Sequence, residues 1–183
     1  MDNSELVIPT KSPEQFEREQ FRRNSSVPQL WSCLDQVKDP EIPALSLWDI
    51  GILKDIKHEE GIATVTITPT YSGCPAMDAI TEDIEIAFKN IGIYKTVVIT
   101  ELSPAWTTQW MTEKGRNQLR DYGIAPPNDV VGGAKELDSD TQVACPHCKS
   151  NDTQLISEFG STACKALFKC NTCHEPFDLF KHI

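Results

Sequence analysis

Four cysteines near the C-terminus have the spacing of metal ligands: Cys145-Pro-His-Cys148 and Cys170-Asn-Thr-Cys173. Two residues between cysteines let both sulfurs of one tight turn reach one ion. Two such turns supply four thiolates in a tetrahedron, with bonds of about 2.3 Å to zinc. Neither pair sits between a strand and a helix, so a thioredoxin-like redox motif is the weaker reading. The stretch from Cys148 to Cys170 is long enough for a hairpin. A closed, structural zinc ribbon is expected over residues 142–183. The alternative is four free thiols in a short tail with little core of its own.

Three cysteines remain: Cys33, Cys74 and Cys164. Cys74 precedes Pro75, and an apolar helical pattern follows, so its sulfur is expected at or beside a helix start. Backbone N–H groups and the helix dipole favour a thiolate there, and Gly73 leaves the approach open. Three roles stay open for it: transient metal or cluster ligand, nucleophile, or buried small residue. Asp39, Glu41 and Asp49 could face the same end of the domain and add hard oxygen ligands, suited to iron. Beside Pro40 and Pro43 they could equally shape a solvated turn. His58 falls in a hairpin, so a Cys–His nucleophile pair has little support. Cys164 lies six residues before Cys170. It could be a spare ligand, a reactive thiol or a packing residue. Cys33 lies within a helical stretch and reads as packing.

The elements that must position these residues follow from periodicity. Leu30, Trp31, Leu34 and Val37 share one helical face over about 29–37. The Asp39–Pro43 stretch stops that helix. Residues 50–68 read as a hairpin, with Ala63, Val65 and Ile67 alternating against threonines in its second strand. After the Pro69–Pro75 loop, Met77, Ile80, Ile84, Phe88 and Ile91 mark a second helix. Thr96–Leu102 gives a third strand and about 107–121 a last helix. The fold class is therefore α+β, an αββαβα domain over 28–125. Residues 1–27 read as a mobile tail with a short helix near 14–22, and 126–141 as a linker.

Composition narrows the function. The chain has 183 residues, formal net charge −10 and a pI near 4.8. Nucleic-acid binding draws its affinity from Lys and Arg; the ribbon segment carries four lysines against four acids, and no nucleic-acid partner is expected. There is no apolar run of membrane-spanning length and no leader-like start, so the expected setting is cytoplasmic, without a membrane. Seven cysteines, four of them claimed by a metal pattern, fit a reducing compartment. No glycine-rich phosphate loop is present.

Three stretches carry a family resemblance: Asp39-Pro-Glu-Ile-Pro43, Leu47-Trp-Asp-Ile-Gly51-Ile-Leu, and Thr68-Pro-Thr-Tyr-Ser-Gly-Cys74-Pro. They resemble the iron–sulfur assembly domain of SufT-type proteins. The two cysteine pairs, with Ser161-Thr-Ala-Cys164-Lys and His174-Glu-Pro-Phe-Asp-Leu-Phe-Lys181, resemble the extension found in PaaD proteins. The resemblance covers about 28–183. It implies an accessory role in phenylacetate degradation, where a multicomponent oxygenase epoxidises the ring of phenylacetyl-CoA. It also implies partners: the di-iron oxygenase or the iron–sulfur flavin reductase of that system. A homodimer is compatible with it. Cys74 matches the family's reactive cysteine, and Asp39 and Glu41 its acidic motif. The expected function is maturation of the oxygenase's iron or iron–sulfur centres, by transient binding at Cys74, rather than catalysis by this chain alone. Two alternatives stand beside it: a structural or regulatory subunit, and a rubredoxin-like electron carrier, since four sulfurs alone do not separate zinc from iron.

Overall fold

The computed structural model describes residues 12–127, 137 and 141–181. Helix α1 spans Pro13–Arg23 and α2 spans Pro28–Leu34. Strands β1 (Leu53–Glu59) and β2 (Ile62–Ile67) form an antiparallel hairpin. Its turn puts Glu60 at φ 51° and Gly61 at φ 77°, the left-handed pair that matches strand twist. Helix α3 (Met77–Asn90) then crosses back to β3 (Thr96–Thr100), which lies parallel to β2. The sheet order is β1-β2-β3. Ile80, Ile84 and Phe88 of α3 are wholly buried, as are Ala63, Val65 and Ile67 of β2. Each fully buried aliphatic or Phe side chain stabilises by about 1.5–3 kcal/mol, so this helix–sheet contact anchors the domain.

The α+β order expected from periodicity is present, with shifted boundaries. The first predicted helix, 29–37, ends at Leu34, and single turns carry the chain to Val37. The last predicted helix, 107–121, is two pieces: a 3₁₀ turn over Thr108–Trp110 and α4 over Glu113–Asp121. The side chains of Thr107 and Thr112 each cap a start, which divides the run.

Within the predicted tail, the short helix expected near 14–22 is present as α1, begun by a Ser12–Gln15 capping box with Pro13 in the first turn. What needs correction is its mobility, because it docks on the domain. No residue of α1 is buried, so no apolar stripe signals its docking. It is held by cations on aromatic faces. The Arg18 guanidinium lies 4.4 Å from the Trp48 ring centre and that of Arg22 lies 4.9 Å from it. Arg18 also donates to the carbonyls of Leu53 and Trp110. Burial, then Arg22, pulls its pKa down to about 10. The rest of the predicted tail, 1–11, lies outside the described residues, as does most of the predicted 126–141 linker.

Asp49 locks α4 to the core. Its carboxylate accepts from Ser46 Oγ at 2.8 Å, Thr112 Oγ1 at 2.7 Å and Lys114 Nζ at 2.9 Å. A Cβ on Gly115 would stand 2.5 Å from the Asp49 carbonyl oxygen, so only glycine permits this approach. Burial raises the Asp49 carboxyl pKa, but the hydrogen bonds from Lys114, Thr112 and Ser46 outweigh it and hold the group below its ordinary value. Its stabilisation is therefore complete above about pH 4 and is lost as pH falls through the lowered native value. In urea titrations at pH 7, Asp49→Ala should cost about 2–3 kcal/mol. The gap to the native chain should shrink on acidification; a gap that widens toward low pH would refute this account.

The C-terminal sheet has order β4-β7-β6-β5, with β5 at Thr153–Ser157, β6 at Lys165–Cys170 and β7 at Pro176–Phe180. Strand β4, Ile124–Ala125, pairs parallel with β7 although it directly follows α4. It thus stitches the predicted first domain into the ribbon sheet. Arg116 of α4 donates to the Thr108 and Pro127 carbonyls, both at 2.9 Å, and ties the crossing chain down. Phe180, wholly buried, leaves the ribbon's own apolar cluster and joins the core of the larger domain. Its ring meets Trp106 at 5.8 Å, while Trp106 Nε1 donates to the Ile50 carbonyl.

Candidate metal centre and cargo site

The two knuckles converge. Cys145 and Cys173 sulfurs lie 3.7 Å apart, and those of Cys148 and Cys170 3.5 Å apart. All four ligand atoms fall within 4.8 Å of one another. Four bonds of about 2.3 Å in a tetrahedron require sulfurs about 3.8 Å apart, so the donor set fits a four-coordinate ion. The turns are near copies. Cys145 N–H donates to the Ser150 carbonyl and Cys170 N–H to that of Glu175. Lys149 and His174, each just after a knuckle, take φ 67° and 65°. Left-handed backbone at residues other than glycine carries strain, which these paired bonds and a bound ion would hold in place. The Cys170 thiol pKa is pulled down to about 6, chiefly by the Cys173 N–H, which points at its sulfur from 3.5 Å. A redox pair would need two sulfurs, not four converging ones.

Cys74 lies elsewhere. Helix α3 starts at Met77 with Ala76 before it and no side-chain cap. Cys74 therefore sits in a turn ahead of the helix, its N–H donating to the Tyr71 carbonyl at 3.2 Å. The expected thiolate activation is not found. Burial pushes the thiol pKa up; the Ala76 backbone pulls it down, and Glu41, Asp39 and Cys164 push it up again. Half-buried Cys74 is thus a protonated thiol facing negative neighbours, because desolvation and carboxylates outweigh one backbone bond.

The acidic residues divide. Asp39 is 6% exposed, and its Oδ1 accepts from the backbone N–H of Glu41 at 2.9 Å and of Ile42 at 2.8 Å. It shapes the turn that presents Glu41. Burial drives its pKa up, against those two bonds and the charge of Lys165. Both acids bear electrostatically on Cys74. Asp49 is engaged by Ser46, Thr112 and Lys114 at α4. Cys33 is a packing residue, its sulfur 3.4 Å from the Ala87 carbonyl of α3.

The member whose location the sequence did not reveal is Cys164. It sits in the turn just before β6, not within a strand, and is 5% exposed. Although part of the ribbon sequence, it packs into the larger domain's core, the cluster that Cys74 and Tyr71 also touch. Asp39 and Glu41 act on it as they do on Cys74. Its neighbour Lys165, 4% exposed, brings a buried positive charge against both Asp39 and Cys164. The Gly160–Lys165 loop is fixed by Gly160 N–H to the Lys165 carbonyl and by Ser161 Oγ to Asp178. A Cβ at Gly160 would lie 2.6 Å from Asp178 Oδ1. The Cys164-Lys165 pair inside a glycine-led loop was the available sequence signal; its destination was not.

This architecture defines a class: an iron–sulfur assembly domain carrying a four-cysteine ribbon. The model for the iron–sulfur cluster assembly protein family matches residues 28–98, and that for the PaaD zinc beta ribbon domain matches 131–181. An Escherichia coli K12 protein, provisionally named as one of the subunits of 1,2-phenylacetyl-CoA epoxidase, is 45% identical over 157 residues. That alignment covers 86% of this chain and 93% of the relative. The chain belongs to the PaaD family. An Fe-S protein maturation auxiliary factor of Porphyromonas gingivalis W83 is 32% identical over 88 residues, covering 47% of this chain and 83% of that protein. A solved domain of unknown function from Bacillus anthracis aligns with TM-score 0.47 and 24% identity, covering 57% of this chain and 95% of that one. No helix among the described residues is long and apolar enough to cross a membrane.

Proposed function

We propose that the chain matures the iron or iron–sulfur centres of a multicomponent phenylacetyl-CoA epoxidase, as an accessory protein rather than a catalyst. Cys74 binds iron or a cluster transiently, with Glu41 beside it and Asp39 setting the turn. The ribbon holds zinc permanently through Cys145, Cys148, Cys170 and Cys173. The observation that carries this reading is the separation of two kinds of thiol. Four sulfurs are already gathered for one ion, whereas Cys74 is half-buried among carboxylates. The maturation-factor relatives support the same reading for the first domain. The clients would be the di-iron oxygenase or the iron–sulfur flavin reductase.

Purification without oxygen, followed by zinc, iron and sulfide analysis, tests it. The native chain should hold one zinc and substoichiometric iron; Cys74→Ala should keep the zinc and lose at least nine-tenths of the iron. Equal iron in both proteins would defeat the proposal. The name of the Escherichia coli relative, that of an epoxidase subunit, favours a second reading in which the chain is a stoichiometric structural partner. Gel filtration with the other subunits separates the two: a persistent complex whose activity is indifferent to Cys74→Ala supports the second.

A further inference from the structure

Cys164 has no place in the closed four-cysteine site, yet its surroundings are not those of a packing residue. An apolar core position would be served by alanine or valine. Here a thiol from the ribbon is buried in the larger domain's core, against which Cys74 and Tyr71 also pack, and Asp39, Glu41 and the buried Lys165 act on it electrostatically. Its sulfur meets Thr162 Oγ1 at 3.0 Å, within its own turn. These groups come from three separate stretches: the Asp39–Glu41 turn, the Tyr71–Cys74 turn and the Cys164–Lys165 turn of the ribbon. Such convergence of titratable groups at a seam marks a site more often than a core.

We propose that Cys164 is the second thiol ligand of the cargo site, so that iron or a cluster is held between the two domains by Cys74 and Cys164 together. The inference rests on the reading of Cys74 as a cargo ligand and extends it. One thiolate among carboxylates is a weak soft-metal site; two thiolates give the sulfur-rich set that iron–sulfur species favour. Lys165 offsets the charge that two thiolates and two carboxylates would accumulate. Binding ferrous iron forms two Fe–S bonds and sends two thiol protons to solvent, with no electron transferred. Among the described residues, only the ribbon knuckles bring three or more ligand atoms within 4.8 Å of one another.

Two experiments on the full-length, zinc-loaded protein decide it. First, ferrous ammonium sulfate is titrated anaerobically into the native chain, Cys164→Ser and Cys74→Ser, with zinc content as the fold control. The expected result is at least tenfold weaker iron binding in each variant, with zinc unchanged. Native-like iron binding by Cys164→Ser overturns the two-thiol site while leaving the Cys74 reading intact. Native-like binding by Cys74→Ser overturns both. Second, and free of any variant's folding, dibromobimane is reacted with the native protein and the product mapped by mass spectrometry. A bridge between the Cys74 and Cys164 peptides, suppressed by prior loading with ferrous iron, is expected. Its absence overturns the proposal.

Discussion

Cys170→Ser is expected to unfold residues 142–181 outright. Structural zinc in small modules contributes apparent free energies of about 10–16 kcal/mol, comparable to the whole stability of an ordinary domain, about 5–15 kcal/mol. The ribbon's own apolar cluster is small, built on Val143, Ala166, Phe168, Phe177 and Leu179. Two of its members are the ligands Cys145 and Cys170 themselves. Without the ion, Lys149 and His174 would have to hold left-handed backbone on hydrogen bonds alone. Limited proteolysis should therefore cut within 142–181 of the variant, while the sheet and α3 resist as a separate unit. A variant that binds no metal yet keeps the ribbon protease-resistant would show that the cysteines are not its staple.

Phe180→Ala is the second large effect, and it should act at the seam. Removing a wholly buried Phe costs about 3–5 kcal/mol, part transfer and part cavity, and here the tilted ring contact with Trp106 is lost too. The knuckles are untouched, so metal content should stay at the native value. The docking of ribbon on domain should not survive, because β4 and Arg116 would be left to hold it beside the Cys164 turn. In the register of β6 and β7, Phe180 sits opposite Lys165, next to Cys164. Cys164 should consequently be alkylated several-fold faster than in the native chain. An unchanged rate, with an unshifted melting temperature, would mean that Phe180 does not join the two halves.

The sequence was most legible where structure is locally determined. The knuckles were readable because two intervening residues are a property of one turn. The Glu60-Gly61 hairpin and α3 were readable for the same reason: turn chemistry and a helical stripe need no distant partner. What stayed hidden was set by tertiary contact. The helix near 14–22 was legible but its docking was not, because arginines on Trp48 hold α1 and no apolar face does. Cys74 was expected to be an activated thiolate; its ionisation is decided by burial and by carboxylates from another stretch, which spacing does not report. The burial of Cys164 in the larger domain's core depends on how the ribbon leans, and that is written in scattered residues: Trp106, Arg116, Ile124 and Phe180.

Strand β6 begins directly after Cys164 and ends on Cys170. At about 3.3 Å per residue, six steps place the two sulfur-bearing positions about 20 Å apart, at opposite ends of one stiff ribbon strand. The strand is an insulating spacer. Under the proposed cargo role, iron at Cys164 could not share a sulfur with an ion held by the knuckles. The two sites would be separate addresses on one small polypeptide, each selecting its metal through its own ligands.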